Sequence, residues 1–239
     1  MKKRPGFTLA ELLLAVMIFG FMATSLATIY STSNRHMFQN YRANIVKTNV
    51  GVAMKAVQNQ LSIATKLDVP AYNASGNILA FATNVDQLTG CYPIYDAPPT
   101  NGIDAPAWHY FCIAPDMTDP TINSLYYHTG TIPGGTGCSV ASPSTWNGPY
   151  PAFCGPGGGG TVTMLVQGAV PNPVFFSRRP AETVMVNGAP VVVRGITERD
   201  QVWVSIRSFW SASARGFGKS QRDVDFTLTS VFRVQKYAW

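Results

Sequence analysis

The hydrophobic and polar positions divide the chain into stretches of different period. Phe7 to Tyr30 reads FTLAELLLAVMIFGFMATSLATIY, 24 residues with one charge, Glu11. As a helix this run is about 36 Å long, enough to cross a hydrocarbon core of about 30 Å. From Ser31 polar residues return, and apolar ones recur at Met37, Tyr41, Ile45, Val50, Met54, Val57, Leu61 and Ala64. That spacing follows one face of a helix, with Gln39, Arg42, Lys47, Lys55, Asn59 and Lys66 opposite. No proline intervenes before Pro70, so one helix is predicted from Thr8 to Leu67, about 90 Å long. Its first half, 7–35, is expected in lipid, and its second half, 36–69, on a sheet. A coiled coil is the alternative for the second half. The stripe covers only about four heptads and strand-rich sequence follows it, which favours the sheet.

The far end of the chain changes period. Thr161–Gln167 is β-branched, and Thr183–Asn187 and Pro190–Arg194 flank Asn187-Gly188-Ala189, a hairpin signal slightly longer than a two-residue turn. Val202, Val204 and Ile206 alternate with Trp203, Ser205 and Arg207; Val224, Phe226 and Leu228 alternate with Asp225, Thr227 and Thr229, and Phe232 and Val234 keep that phase. Alternation of this kind belongs to an antiparallel sheet with one face on a core. Between helix and sheet the pattern is irregular. A short strand is predicted near Ile78–Ala82, and 85–160 is expected as long loops. Gly157–Gly160 lacks the Lys-Ser/Thr that a phosphate-binding loop needs and is expected to be a flexible loop. Helix, irregular region and sheet together give an α+β fold, with 70–239 as the β-rich globular domain.

Charge sets the orientation. Lys2, Lys3 and Arg4 precede the apolar run, so the first residues stay in the cytoplasm and the bulk of the chain is expected outside. A cleaved secretory signal would have a shorter apolar core followed by a small-residue cleavage site. The four cysteines, Cys91, Cys112, Cys138 and Cys154, all fall in the outward part. Two disulfides are expected there. Three connectivities are open, and closure of short local loops favours Cys91–Cys112 with Cys138–Cys154. A zinc site is the rival, disfavoured because no Cys-x-x-Cys knuckle is present. Glu11 is the anomaly: a carboxylate in a membrane helix costs about 2.5–3.5 kcal/mol on insertion scales, so a partner for it is expected.

The run Lys2, Lys3, Arg4, Gly6, Phe7, Thr8, Leu9, Ala10, Glu11 ahead of a long apolar helix resembles the signal of type IV pilins and type II secretion pseudopilins. The resemblance covers about residues 1–35. It implies cleavage between Gly6 and Phe7 by a prepilin peptidase, N-methylation of Phe7, and an assembly salt bridge from Glu11 to the Phe7 amine of a neighbouring subunit. It also implies an inner-membrane assembly platform as partner, and a lipid bilayer before assembly. The subunit would be a single-pass inner-membrane protein that later joins an extracellular or periplasmic filament. Gly20 matches a small residue common in the family. The helix-breaking proline of many major pilins is absent, with Thr28 in its place, which leans toward a minor subunit of the larger kind.

Removal of residues 1–6 would leave 15 basic against 12 acidic side chains, lowering the formal charge from +6 to +3. The basic balance is therefore weak ground for a nucleic-acid partner. Arg194, Arg199, Arg207, Arg215, Lys219, Arg222, Arg233 and Lys236 are read as a solvated sheet face. No nucleophile elbow or His-Glu-x-x-His helix occurs, and His36, His109 and His128 stand apart in the sequence. Asp116 and Asp119 lie between Pro115 and Pro120 and read as a turn. No catalytic residue, cofactor or metal is expected. The leading expectation is a structural filament subunit. A binding module using the aromatics of 91–154 comes second, and a membrane-anchored enzyme last.

Overall fold

The computed structural model describes residues 8–94, 105–169, 175–179, 183–186, 189–192, 201–210 and 223–233. The chain divides into two compact units, 1–44 with 211–223 and 45–210 with 224–239. One helix, α1, spans Leu9–Ser62. Burial begins only at Val46 and continues through Val50, Ala53, Met54, Val57 and Leu61. Met37, Tyr41 and Ile45, on the same predicted stripe, stay exposed. The helix stops five residues short of the predicted Leu67 because the next segment finds strand partners. The Thr65 amide donates to the Ala82 carbonyl, and the Thr65 hydroxyl donates to the Val85 carbonyl at 2.7 Å. Lys66 is therefore a buried strand residue, not part of a solvated helix face.

The second unit contains two larger antiparallel sheets. In chain order the strands are β1 Lys66–Val69, β2 Ser75–Gly76, β3 Leu79–Thr83, β4 Ala107–Pro115, β5 Asn123–Thr131, β6 Thr161–Gln167, β7 Phe176–Arg179, β8 Thr183–Val186, β9 Ala189–Val192, β10 Gln201–Trp210 and β11 Val224–Arg233. One sheet runs β1-β3-β4-β5-β6 and the other β11-β10-β7-β2. The β8–β9 ladder closes with Val186 opposite Ala189. The hairpin expected there is present as this antiparallel pair; Asn187 and Gly188 lie outside the described residues. The main core joins Val50, Val57 and Leu61 of α1 to Leu79, Phe81, Phe111 and Leu125 of the first sheet and Val202, Val204 and Ile206 of the second. Helix on antiparallel sheet, as expected, makes the fold α+β.

Two of the central strands, β4 and β5, fall in the region expected to be loops. Their sequences, AWHYFCIAP and NSLYYHTGT, do not alternate because both faces are covered, and a strand buried on both sides reads as a continuous apolar run. Phe111 and Leu125 face the helix core. Tyr110, Cys112 and Tyr126 belong to a separate cluster with Tyr150 and Cys154, so residues of the Gly/Pro-rich segment cover that second face. Gly158 and Gly160 let the chain approach this closely. A Cβ on Gly160 would stand 2.4 Å from the Thr129 carbonyl oxygen at a φ of +69°, and one on Gly158 would stand 2.1 Å from the Phe153 carbonyl oxygen. Within the segment expected to be a flexible loop, Gly158 and Gly160 are thus points of close packing.

The disulfides also depart from expectation. The bonds are Cys91–Cys138 and Cys112–Cys154, not the local pairs. The antiparallel ladder explains why. Thr83 pairs with Ala107 at one end of β3 and β4, and Cys91 lies in the connection leaving that end. Cys112 sits five residues further along β4, about 17 Å away at strand rise. It meets the segment folded over the sheet instead.

Candidate functional site

The described chain begins at Thr8, so Gly6 and Phe7, the expected cleavage and methylation positions, lie outside the described residues. Thr8 and Glu11 form a capping box at the start of α1. The Thr8 amide and hydroxyl each donate to Glu11 Oε2 at 3.0 Å, and the Glu11 amide donates to Thr8 Oγ1 at 3.3 Å. The spacing suits this, since Thr at the cap and Glu three residues later satisfy each other's orphan donors. Sequence reasoning looked for Glu11's partner on a neighbouring subunit and missed this local one, although the Thr-x-x-Glu spacing signals it. Within this chain the carboxylate is held by its own helix start.

Beyond that first turn α1 presents an apolar surface. Leu9, Leu12, Leu13, Val16, Phe19 and Phe21 are all exposed. Its most apolar window has mean hydropathy 2.3, with none of it buried. The hydroxyls in this stretch are satisfied locally: Thr24 donates to the Gly20 carbonyl at 3.0 Å and Ser25 to the Phe21 carbonyl at 2.8 Å. A helix that satisfies its own polar groups and displays only hydrocarbon is suited to lipid or to other helices. The position of Gly20 is open, with nothing within 4 Å of a Cβ placed there.

Among the described residues, the remaining candidates do not gather around one reactive centre. Asp116 is a loop staple, accepting from the Ser124 hydroxyl at 2.7 Å, the Thr118 hydroxyl and the Thr118 and Asp119 amides. These bonds, that from Ser124 first, hold its carboxyl well below the usual range. Asp119 binds Thr121, so the pair is a turn, as expected. Arg207 pairs with Asp225 on the second sheet. Arg194, Arg199, Arg215, Lys219, Arg222 and Lys236 lie outside the described residues, as does the side chain of Arg233. Of the aromatics expected to contact a surface, Tyr92, Tyr110, Phe111, Tyr126 and Trp146 are buried, and Phe153 is exposed. Tyr95 lies outside the described residues.

Two histidines are built into the sheet, a placement the sequence did not signal. His128 accepts the Gly155 amide at Nε2 (3.0 Å), so its proton sits on Nδ1, 3.1 Å from the Gly159 carbonyl oxygen. It lies beside Cys112 and Cys154, within the 4.8 Å grouping that metal ligands would show. Both sulfurs are committed to the disulfide and both ring nitrogens are hydrogen-bonded, so this trio offers no open ligand atom. His109 stacks on Phe81 with centroids 5.0 Å apart, and its Nδ1 is 2.7 Å from the Tyr127 hydroxyl. Burial holds its pKa at about 4, below the usual value of about 6.5.

The His109 shift makes stability depend on pH. Between those two values the unfolded chain binds the proton more readily. Stability is therefore full above about pH 6.5 and falls as pH drops through about 4, by roughly 3 kcal/mol at most. Asp116 adds its own loss only below the ordinary carboxylate range, about pH 4. Urea midpoints of the full chain in detergent should fall between pH 7 and pH 4.5, and His109→Phe should flatten that fall. An unchanged slope in the variant would remove His109 as the cause.

Residues 1–27 match the prokaryotic N-terminal methylation motif. No curated protein and no solved structure matches the chain. The motif, followed directly by the apolar helix, supports a type IV pilin-like protein.

Proposed function

We propose that this type IV pilin-like chain is a structural subunit of a type IV pilus or type II secretion pseudopilus, of the minor kind that starts or tips a filament. The observation that carries this is the methylation motif at residues 1–27 leading without interruption into an exposed apolar helix. Residues 1–6 are the cytoplasmic leader, 7–35 the membrane and filament-core helix, 36–69 the amphipathic half of the helix packed on the sheet, with β1 at its end, and 70–239 the exported domain. The prepilin peptidase cuts between Gly6 and Phe7 and methylates the new amine of Phe7. That ammonium then replaces Thr8 as the partner of Glu11 on an adjacent subunit, because in a low-dielectric surround a carboxylate binds a charged donor more strongly than the neutral amide and hydroxyl of Thr8.

The partners are other pilin subunits met along α1, the peptidase, the inner-membrane assembly platform and, before assembly, the bilayer. The absent helix proline and the large strand-rich domain support the minor role. The adhesin or DNA-binding reading gains little, because the aromatics it relied on are mostly inside. Co-expression with a prepilin peptidase and an intact mass test the proposal. The expected product begins at Phe7 and carries one added methyl group. A product that keeps residues 1–6 would overturn the processing and with it the assembly role. Counting this subunit against the others in sheared filaments tests the minor role, which a dominant count would exclude.

A further inference from the structure

A buried amine, a carboxamide and a carboxylate meet where β1 faces the Gly/Pro-rich segment. Lys66 is 4% exposed. Its Nζ lies 2.9 Å from Asn147 Oδ1, 3.1 Å from Asp68 Oδ1 and 3.1 Å from the Trp146 carbonyl oxygen. The Trp146 ring lies 5.7 Å from the same nitrogen, and the Tyr150 hydroxyl donates to Asp68 Oδ2 at 2.6 Å. Asp68 is the unpaired residue where the register of β1 shifts between Leu67 and Val69, and its carboxylate reaches Lys66 Nζ. Asn147 is brought from 81 residues away. The Trp146 amide donates to the Gly90 carbonyl at 2.7 Å, and Cys91 bridges Thr145. Gly90 leaves the room Asn147 occupies, since a Cβ there would stand 2.9 Å from Asn147 Oδ1.

We propose that this trio is a modification site at which Lys66 and Asn147 join in an intramolecular isopeptide bond, with Asp68 moving the protons. The juxtaposition supplies each group the exchange requires. Asp68 takes one proton from the Lys66 ammonium and frees the amine lone pair. Nζ attacks Asn147 Cγ, forming the new C–N bond and a tetrahedral centre. The second proton leaves Nζ as the departing Nδ2 is protonated, and the Cγ–Nδ2 bond breaks. One ammonia is released, the amide keeps one hydrogen on Nζ, and Asp68 gives its proton to the ammonia or to water. No oxidant or external reactant takes part. Held at contact distance, amine and carboxamide gain the effective concentration that makes a slow reaction practicable, and Asp68 is within reach for proton transfer. Asn147 is exposed on its other side, which gives the ammonia an exit. The product would tie β1 to the segment that covers the sheet, next to the Cys91–Cys138 disulfide.

Peptide mapping and intact mass of the purified full chain, with both disulfides reduced, test this. The expected result is a mass short by one ammonia and one branched peptide joining the Lys66 and Asn147 segments. Lys66→Arg, Asn147→Ala and Asp68→Asn should each restore the full mass and separate the peptides. A full mass in the unsubstituted protein would overturn the proposal whatever the variants do. A deficit without a branched peptide would also overturn it, since Asn147-Gly148 can lose the same ammonia by closing a succinimide. A branched peptide that persists in Asp68→Asn would overturn the role given to Asp68.

Discussion

Glu11→Ala should be cleaved and methylated normally yet enter filaments at a level at least about tenfold below the unsubstituted chain, a factor worth about 1.4 kcal/mol. Processing is expected to persist because the scissile bond lies on the leader side of the helix. Incorporation is expected to fail because the substitution removes the carboxylate that Thr8 now holds and that a neighbour's ammonium is proposed to take over. Glu11→Gln separates the two contributions. An amide oxygen still accepts from Thr8 and keeps the capping box, which is worth on the order of 1 kcal/mol, but it offers no charge. Incorporation of Glu11→Gln near the level of Glu11→Ala would assign the effect to charge. Normal incorporation of Glu11→Gln would leave the capping box as the whole role and remove the ion pair. The readout is the quantity of each variant in sheared filaments against its quantity in membranes, with intact mass confirming cleavage.

Replacing Cys112 and Cys154 together by Ser should lower stability more than any surface change. The bond closes a span of 42 residues, and the chain-entropy estimate for that length is about 4 kcal/mol. The loss has a local consequence too. Cys112 is 1% exposed on β4, and Cys154 anchors the segment whose Gly155 amide and Gly159 carbonyl clasp His128. Releasing it uncovers Tyr110 and Tyr126. The expected outcome is a urea midpoint well below that of the unsubstituted protein and early protease cleavage within 132–160. A midpoint unchanged within error would mean that packing alone holds the segment down. Non-reducing peptide maps should recover Cys91 joined to Cys138 and Cys112 joined to Cys154. Recovery of the local pairs would refute the topology.

The parts of this protein that were legible in the sequence are those whose signal is local. The basic leader, Gly6-Phe7-Thr8-Leu9-Ala10-Glu11 and the apolar run stand next to one another in the chain. The Thr8–Glu11 capping box needs only residues three apart. The alternation of Val202, Val204 and Ile206 reports a sheet with one face on a core, and all three are fully buried. What the sequence did not disclose depends on segments far apart in the chain. Nothing near Trp108 or Tyr126 indicates that a Gly/Pro-rich segment will cover their side of the sheet, so β4 and β5 showed no period. The same covering decided which cysteines meet and put Lys66 against Asn147. It also turned Gly158 and Gly160 into points of close approach. The sequence by itself determined the helix, its apolar surface and its motif, because periodicity and adjacency need no partner. Only the tertiary structure decided the second face of the sheet, because the residues that close over it come from 31 to 81 positions away and no local pattern encodes their arrival.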